Sequence, residues 1–244
     1  MGAGVNIPMN DDGKRIELSA SLYTPEGKKG PFPVVIFSHG SWYPDSRMIA
    51  FNYHNIFSFF EERGYAVLYV YRRGYGSSGG KNNEPLCKGS TNESGLRAAG
   101  ADVQAALEYV KRNPSLDSSR IILAGHSRGG LLSTVVAAFI PDDGIKGVVN
   151  FSGNWTTCFR QFNYNALKFT STGLKKKVKN LWLYAEGDSF VNETQARGYA
   201  ETFIQAGGNL EFKIYPLGAG GHDLYDHPSY WKKDVQSFLE KVMK

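Results

Sequence analysis

Short apolar runs alternate along this chain with longer segments of helical spacing. Polar and apolar residues alternate over residues 15–23, which predicts an edge or hairpin strand with one face in water. The continuous apolar runs are typical of strands buried on both faces; they cover residues 34–37, 66–70, 121–124, 148–151, 181–185 and 212–215. Helical spacing covers residues 49–63, 95–113, 129–139, 193–206 and 230–242. This order predicts an α/β fold with a mostly parallel sheet and helices on both faces.

Length and composition favour one domain. A chain of 244 residues with 41% hydrophobic residues can bury one sizeable core, so residues 1–244 are expected to form a single domain. No apolar stretch approaches the roughly 20 residues of a membrane helix, so no membrane span is expected. The 28 basic residues are spread among 23 acidic ones, and the dense basic run at 175–177 lacks interleaved aromatic residues. Nucleic acid is therefore not an expected partner.

The chain has two cysteines, Cys87 and Cys158, in segments of irregular sequence. They can pair as one disulfide in an oxidising compartment or remain reduced in the cytosol, so the compartment stays open. Polar loops fit poorly with the buried habit of free cysteines, which favours the disulfide. Neither cysteine has the spacing of a metal ligand, and no metal site is expected.

The segment Gly125-His126-Ser127-Arg128-Gly129 connects a predicted strand to a predicted helix. A G-x-S-x-G turn in that position lifts a serine hydroxyl out of a strained backbone, and its glycines remove side chains that would collide. The following helix directs its N-terminal amides toward developing negative charge. Ser127 is therefore the predicted nucleophile.

A serine nucleophile needs a histidine base, which in this context lies near the end of the chain. His222 follows the last predicted strand in a glycine-rich loop that can bring an imidazole to the strand ends. His227 precedes Pro228 at a predicted helix start, where a capping or surface role is expected. His222 is therefore the predicted base.

The base in turn needs a carboxylate located between the serine and the histidine in sequence. Asp188 is the predicted acid, because Gly187 lets its short side chain turn back toward the imidazole. Glu186 is the alternative. Asp142 and Asp143 lie in a helix-to-strand turn, which places them at the opposite edge of the sheet.

Two backbone amides are expected to form an oxyanion hole. The amide of Arg128 directly follows the nucleophile, and the second donor is expected in the loop after residues 34–37. Ser41 is the predicted second donor, with Trp42 as the alternative. His39 is interpreted as a side chain that braces this loop by hydrogen bonds, and His126 as a structural neighbour of the serine.

Aromatic and basic residues near the strand ends have two interpretations. The aromatic ones can wall an apolar substrate pocket, although they are equally ordinary core residues; they are Trp42, Tyr75, Trp155, Phe159 and Phe190. Arginines there can bind a substrate carboxylate, but more often form salt bridges with the scaffold; they are Arg72, Arg73 and Arg128.

These motifs resemble the dienelactone-hydrolase-like and prolyl-oligopeptidase-like branch of the α/β-hydrolases over nearly the whole chain. The resemblance rests on residues 31–40 and 73–80, the Ser127 turn, the Asp188 turn and Gly221-His222. It implies an α/β-hydrolase fold of about eight strands and no cofactor. Dienelactone hydrolases carry a cysteine where this chain has Ser127, which argues against a dienelactone substrate.

The resemblance and the order of the motifs predict a serine hydrolase that cleaves a small-molecule carboxylic ester, as a monomer or homodimer. One alternative is a peptidase of the prolyl-oligopeptidase type, although no peptide-filtering domain is evident in the sequence. The other is a noncatalytic binding protein on a hydrolase scaffold. Relatives of this kind often carry export signals, so the resemblance favours a periplasmic or secreted enzyme with a bridge between Cys87 and Cys158.

Overall fold

The computed structural model describes residues 2–41, 52–82, 84, 92–140, 144–156, 158–173 and 178–244. Within these residues the strands are β1 (Ala3–Asp11), β2 (Lys14–Tyr23), β3 (Phe32–Ser38), β4 (Ala66–Val70), β5 (Leu116–His126), β6 (Ile145–Phe151), β7 (Lys179–Ala185) and β8 (Asn209–Tyr215). The helices are α1 (His54–Glu62), α2 (Asn92–Arg112), α3 (Arg128–Phe139), α4 (Arg160–Phe169), α5 (Glu193–Gln205) and α6 (Pro228–Val242).

All eight of these strands form one sheet, in the order β1-β2-β4-β3-β5-β6-β7-β8. β1 pairs with β2, and β2 with β4, in antiparallel fashion. The neighbours from β4 to β8 are parallel. The structure thus confirms the predicted mostly parallel sheet of about eight strands.

Two apolar layers cover the sheet, because successive side chains of a buried strand point to opposite faces. On β3, Val34 and Ile36 join the layer formed with α2, α3, α4 and α5. Val35 and Phe37 join the other layer, which is formed with α1 and α6. This division confirms helices on both faces and explains why the central strands lack a polar face.

The carboxyl ends of the central strands meet at one edge. In the parallel register Ser38 lies beside Gly125, and His126 lies beside Phe151. The loops that begin there carry Ser41 after β3, Ser127 after β5 and Asp188 after β7. The topology therefore collects the predicted site at the edge where open α/β sheets bind ligands.

Two elements differ from the sequence-based expectation. β1 was not anticipated, and it forms a hairpin with β2 through the turn at Asp12 and Gly13, both of which have positive φ. α4 lies inside residues 152–173, which the sequence indicated to be irregular. Among the described helices, none has the length and hydropathy that a membrane crossing requires.

Candidate active site

Ser127 occupies a sharp turn between β5 and α3, with φ 53° and ψ −121°. Positive φ is unfavourable for a side chain that has a Cβ, so surrounding contacts must hold this conformation. The Ser127 amide donates to the carbonyl of Phe151 at 2.9 Å. The Ser127 carbonyl accepts from the amides of Gly130 and Asn154, each at 3.0 Å. These bonds fix the turn from β6 and α3.

The two glycines of the turn are required by close packing against β3. A Cβ on Gly129 would lie 2.0 Å from the carbonyl oxygen of Ser38, and one on Gly125 would lie 2.7 Å from the same atom. Both distances are shorter than any real Cβ contact. The two glycines of the G-x-S-x-G sequence therefore allow the turn at Ser127 to pack directly against β3.

Asp188 and His222 are hydrogen-bonded to each other, with Nδ1 of the imidazole 2.9 Å from Oδ2 of the carboxylate. The other carboxylate oxygen accepts from the amides of Phe190 and Val191, at 2.8 and 2.9 Å. The Asp188 side chain is fully buried. A carboxylate so held fixes the orientation of the imidazole and favours the tautomer with its proton on Nδ1.

The described alternatives to the predicted acid and base differ from Asp188 and His222 in burial. Glu186 and His227 are exposed, and Asp142 and Asp143 lie outside the described residues. The turn itself depends on Gly187, which has φ 69° and whose Cβ would lie 1.9 Å from the carbonyl oxygen of Gly218. This geometry favours Asp188 over Glu186, for the reason that the sequence indicated.

Ser127 is the remaining partner of the predicted triad. Within the described part of the chain, no hydrogen bond joins its hydroxyl to His222. Hydrogen bonds of this kind are often long before a substrate binds, and they tighten in the Michaelis complex. The predicted acid and base are therefore in contact with each other, and the complete triad remains a prediction.

His126 connects the two loops that flank Ser127. Its Nε2 donates to the carbonyl of His222 at 3.0 Å. Its Nδ1 lies 3.0 Å from the hydroxyl of Tyr53, which also accepts from the amide of Gly40 at 2.9 Å. Burial, aided by the nearby His222 ring, lowers the pKa of His126 well below its ordinary value. A neutral imidazole therefore braces this region.

The loop after β3 is held by a buried carboxylate that the sequence analysis missed. Ser41 Oγ donates to Oε2 of Glu84 at 2.8 Å. Arg72 donates to the same carboxylate from Nε at 2.5 Å and from Nη2 at 2.9 Å. Glu84 is the one acidic residue in the sequence between positions 74 and 89, and this isolation was its only signal.

His39 belongs to the same buried cluster. Its Nδ1 lies 2.5 Å from the Gly40 carbonyl, and its Nε2 accepts from the Arg72 amide at 3.2 Å. The Arg72 guanidinium also donates to the His39 carbonyl at 2.6 Å. Burial, followed by the nearby charge of Arg72, lowers the pKa of His39 well below its usual range. These contacts agree with a bracing role.

The three arginines near the strand ends are engaged with the scaffold. Arg72 and Arg128 both pair with Glu84. Arg73 Nε donates to Asp102 at 2.8 Å, and its guanidinium also pairs with Asp11. This is the alternative that the sequence analysis gave for them: the three guanidinium groups bind carboxylates and backbone carbonyls of the protein.

The predicted pocket residues fall into two groups. Tyr75 and Trp155 are almost fully buried, so their rings belong to the packed interior and cannot contact a substrate as the wall of an open pocket. Phe190 is 50% exposed and Phe159 is 40% exposed. The ring of Phe190 lies 4.5 Å from that of His222, so an exposed aromatic ring lies next to the predicted base. Trp42 lies outside the described residues.

The predicted disulfide joins one described and one undescribed residue. Cys158 carries no free thiol in the structure, and it precedes α4. Cys87 lies outside the described residues. The pairing of the two cysteines therefore stays a prediction.

Comparison with known proteins places this architecture in a family. A model of the dienelactone hydrolase family matches residues 18–243. An esterase of Pyrococcus furiosus superposes with a TM-score of 0.73 at 19% identity, covering 100% of this chain and 91% of the esterase. Est1E of Butyrivibrio proteoclasticus, whose structure holds ferulic acid, gives 0.68 at 17% identity, with 98% of each chain covered.

A Pyrococcus horikoshii acylaminoacyl peptidase gives a TM-score of 0.67 at 19% identity, and the match covers 100% of this chain but 42% of the peptidase. At these identities the structural likenesses establish the fold. The family match spans nearly the whole sequence, from β2 through α6. This chain therefore belongs to the dienelactone hydrolase family and is a hydrolase of the α/β-hydrolase fold.

Proposed function

We propose that this protein is a serine carboxylesterase in which Ser127 is the nucleophile, His222 the general base and Asp188 the orienting acid. Two observations support this most strongly: the positive φ of 53° at Ser127, in the turn between β5 and α3, and the hydrogen bond between His222 and a buried carboxylate. Strain of this kind persists only where surrounding structure enforces it, and it concentrates at catalytic sites.

The chemistry is acyl transfer in two steps. His222 Nε2 accepts the hydroxyl proton as Ser127 Oγ attacks the ester carbonyl, and the oxyanion is stabilised by the amides of Arg128 and Ser41. The bond to the alcohol oxygen then breaks, and the alcohol leaves with the proton from His222. Water enters, gives its proton to the same imidazole and attacks the acyl-enzyme, and Ser127 leaves with that proton.

The test is a series of p-nitrophenyl esters of increasing acyl length, beside a panel of peptide amides. Ser127→Ala should lower kcat by at least about 10⁴-fold, since the members of a triad act as a unit. Asp188→Asn should lower kcat by about 10⁴-fold, because an amide favours the wrong tautomer of His222. Glu186→Gln is the matched control, and its kcat should equal that of the wild type.

Unchanged ester turnover in Ser127→Ala would refute the proposal. Turnover of peptide amides without ester turnover would favour the peptidase, to which the likeness to the acylaminoacyl peptidase points. If the folded protein hydrolyses neither the esters nor the peptide amides, a noncatalytic binding protein would be favoured.

A further inference from the structure

Glu84 is a charged side chain in the interior, beside the predicted catalytic loops. It is 5% exposed, and its two cationic partners, Arg72 and Arg128, are 1% and 2% exposed. Burial alone would raise the pKa of Glu84, but the guanidinium groups of Arg72 and Arg128 outweigh it and hold the pKa well below the usual range. Glu84 is therefore ionised at neutral pH, and the proposed triad chemistry does not use it.

The first contact of Glu84 is with the residue predicted to supply one oxyanion donor. Ser41 Oγ donates to Glu84 Oε2 at 2.8 Å and accepts from the hydroxyl of Tyr75 at 3.1 Å. Arg72 fixes both carboxylate oxygens, so the carboxylate cannot rotate away from Ser41. The position of the Ser41 backbone is thereby tied to a rigid ion pair.

The second contact is with the residue predicted to supply the other donor. Arg128 Nη1 donates to the backbone carbonyl of Glu84 at 2.6 Å and lies 3.5 Å from its Oε2. Arg128 Nε donates to the carbonyl of Trp155 at 2.6 Å. Glu84 is thus bonded to the side chains of the two residues, Ser41 and Arg128, whose amides are the predicted oxyanion hole.

We propose that Glu84 is a positioning residue that holds the Ser41 and Arg128 amides at the separation required by the tetrahedral intermediate. This inference rests on the proposed function, since the oxyanion hole is part of it. Oxyanion donors act by being preorganised, and a misplacement of about 1 Å can cost about 100-fold in rate. A carboxylate that ties both donors to one buried ion pair supplies that preorganisation.

Three variants test the proposal. Glu84→Gln removes the charge that Arg72 and Arg128 share. Ser41→Ala removes only the hydroxyl and leaves the backbone amide, so it breaks the link to Glu84 while the carboxylate and its pairing with Arg72 remain. Asp102→Asn is the matched control, because Asp102 is a fully buried carboxylate paired with Arg73 that contacts neither Ser41 nor Arg128.

Three measurements are made on each variant. They are kcat and KM for p-nitrophenyl acetate, the inhibition constant of an alkyl trifluoromethyl ketone, and the stoichiometry of labelling by a fluorophosphonate. The ketone forms an oxyanion on the nucleophile and so reports on the hole. The labelling stoichiometry reports on the nucleophile itself, and a failure to label wild-type Ser127 would contradict the proposed function rather than this inference.

Glu84→Gln and Ser41→Ala should each lower kcat by about 10- to 100-fold and raise the inhibition constant of the ketone by a similar factor. KM should stay within about twofold of the wild-type value, because only transition-state binding is lost. Both should still label to one equivalent. Asp102→Asn should keep the wild-type kcat and ketone affinity even if its melting temperature falls.

The proposal is overturned if Ser41→Ala keeps the wild-type kcat and ketone affinity, and this outcome decides the matter even if Glu84→Gln does not fold. It is overturned equally if Asp102→Asn loses as much ketone affinity as Glu84→Gln. In that case Glu84 supports the fold in the way any buried ion pair does.

Discussion

At the scale of single residues, Phe190 is an exposed side chain whose position next to His222 would allow it to contact the substrate. It is half exposed, and its ring lies 4.5 Å from the ring of His222. Its amide is fixed by the hydrogen bond to Asp188 Oδ1, at 2.8 Å. In the proposed mechanism His222 gives its proton to the leaving alcohol, so that alcohol departs on the side of the imidazole. We therefore expect Phe190 to contact the alcohol part of the ester.

Phe190→Ala should reduce the preference for aromatic alcohols. Stacking of two aromatic groups is worth about 0.5–1.5 kcal/mol beyond apolar burial, which corresponds to roughly 2- to 12-fold in kcat/KM. The measurement compares phenyl acetate with ethyl acetate, so that only the alcohol differs. Phe159→Ala, which alters a similarly exposed ring, is the control. An unchanged ratio in Phe190→Ala would place the alcohol elsewhere.

At the scale of elements, α4 organises the loop behind the nucleophile. Asn163 of α4 is fully buried, and its Oδ1 accepts from the amides of Trp155 and Thr156 at 3.0 and 3.2 Å. Its Nδ2 reaches the side chain of Asn154 at 2.7 Å and the hydroxyl of Tyr199 at 2.9 Å. One side chain thus satisfies several buried polar groups of the segment that also supports Arg128 and Ser127.

Asn163→Ala should destabilise the protein by about 3 kcal/mol, because each buried donor or acceptor left without a partner costs about 1–3 kcal/mol. Urea unfolding followed by tryptophan fluorescence gives the free energy of unfolding. Asn165→Ala, the same change at an exposed position two residues along α4, should stay within about 0.5 kcal/mol of wild type. Equal losses in both variants would mean that the buried network does not set the cost, since Asn→Ala improves helix propensity at either position.

The elements that the sequence predicted are those whose apolar pattern is complete in the local chain. β4 was predicted with its observed bounds because it is a continuous run of apolar and aromatic residues. α3 was predicted to within one residue because it is apolar apart from Arg128, Ser133 and Thr134. α4 was missed because its sequence is rich in asparagine and its stability comes from packing against α5, as in the contact of Tyr164 with Tyr199. Such tertiary contacts override a weak local preference.

The residues of the candidate site also differ in how strong a signal the local sequence carries for them. Ser127, Asp188 and His222 carry local signals, since each lies in a glycine-containing turn after a strand. Glu84 carries almost none, because its role depends on Arg72 and Arg128, which reach it from different elements of the fold. Pairings between distant segments become visible only when the sheet brings those segments together.

At the scale of the whole molecule, two buried histidines couple the site to the stability of the fold. His39 and His126 are fully buried, and the pKa of each is lowered well below the ordinary value by that burial. An unfolded histidine takes up a proton near pH 6.5, whereas these two remain neutral in the fold. Acid therefore favours the unfolded state, and their contribution to stability is lost as the pH falls below about 6.5.

One buried carboxylate acts in the opposite direction. Burial, only partly offset by Arg73, raises the pKa of Asp102 to about 6. Asp102 therefore takes up a proton in the fold before it would in the unfolded chain, which favours the fold as the pH falls through 6. The net pH dependence mixes both effects, so a single histidine is best isolated by comparing a variant with the wild type.

His126→Gln provides this comparison, because glutamine can still donate to the His222 carbonyl and accept from Tyr53. Between pH 7 and pH 5 the free energy of unfolding should fall less in the variant than in the wild type, by about 2 kcal/mol, the full contribution of one histidine that stays neutral in the fold. Urea titrations at both pH values measure this, with His227→Gln as the exposed control. Parallel curves for wild type and His126→Gln would mean that the folded protein admits a proton at His126. The link between the Gly40 loop and the His222 loop would then open in mild acid, and ester turnover would be expected to fail over the same pH range.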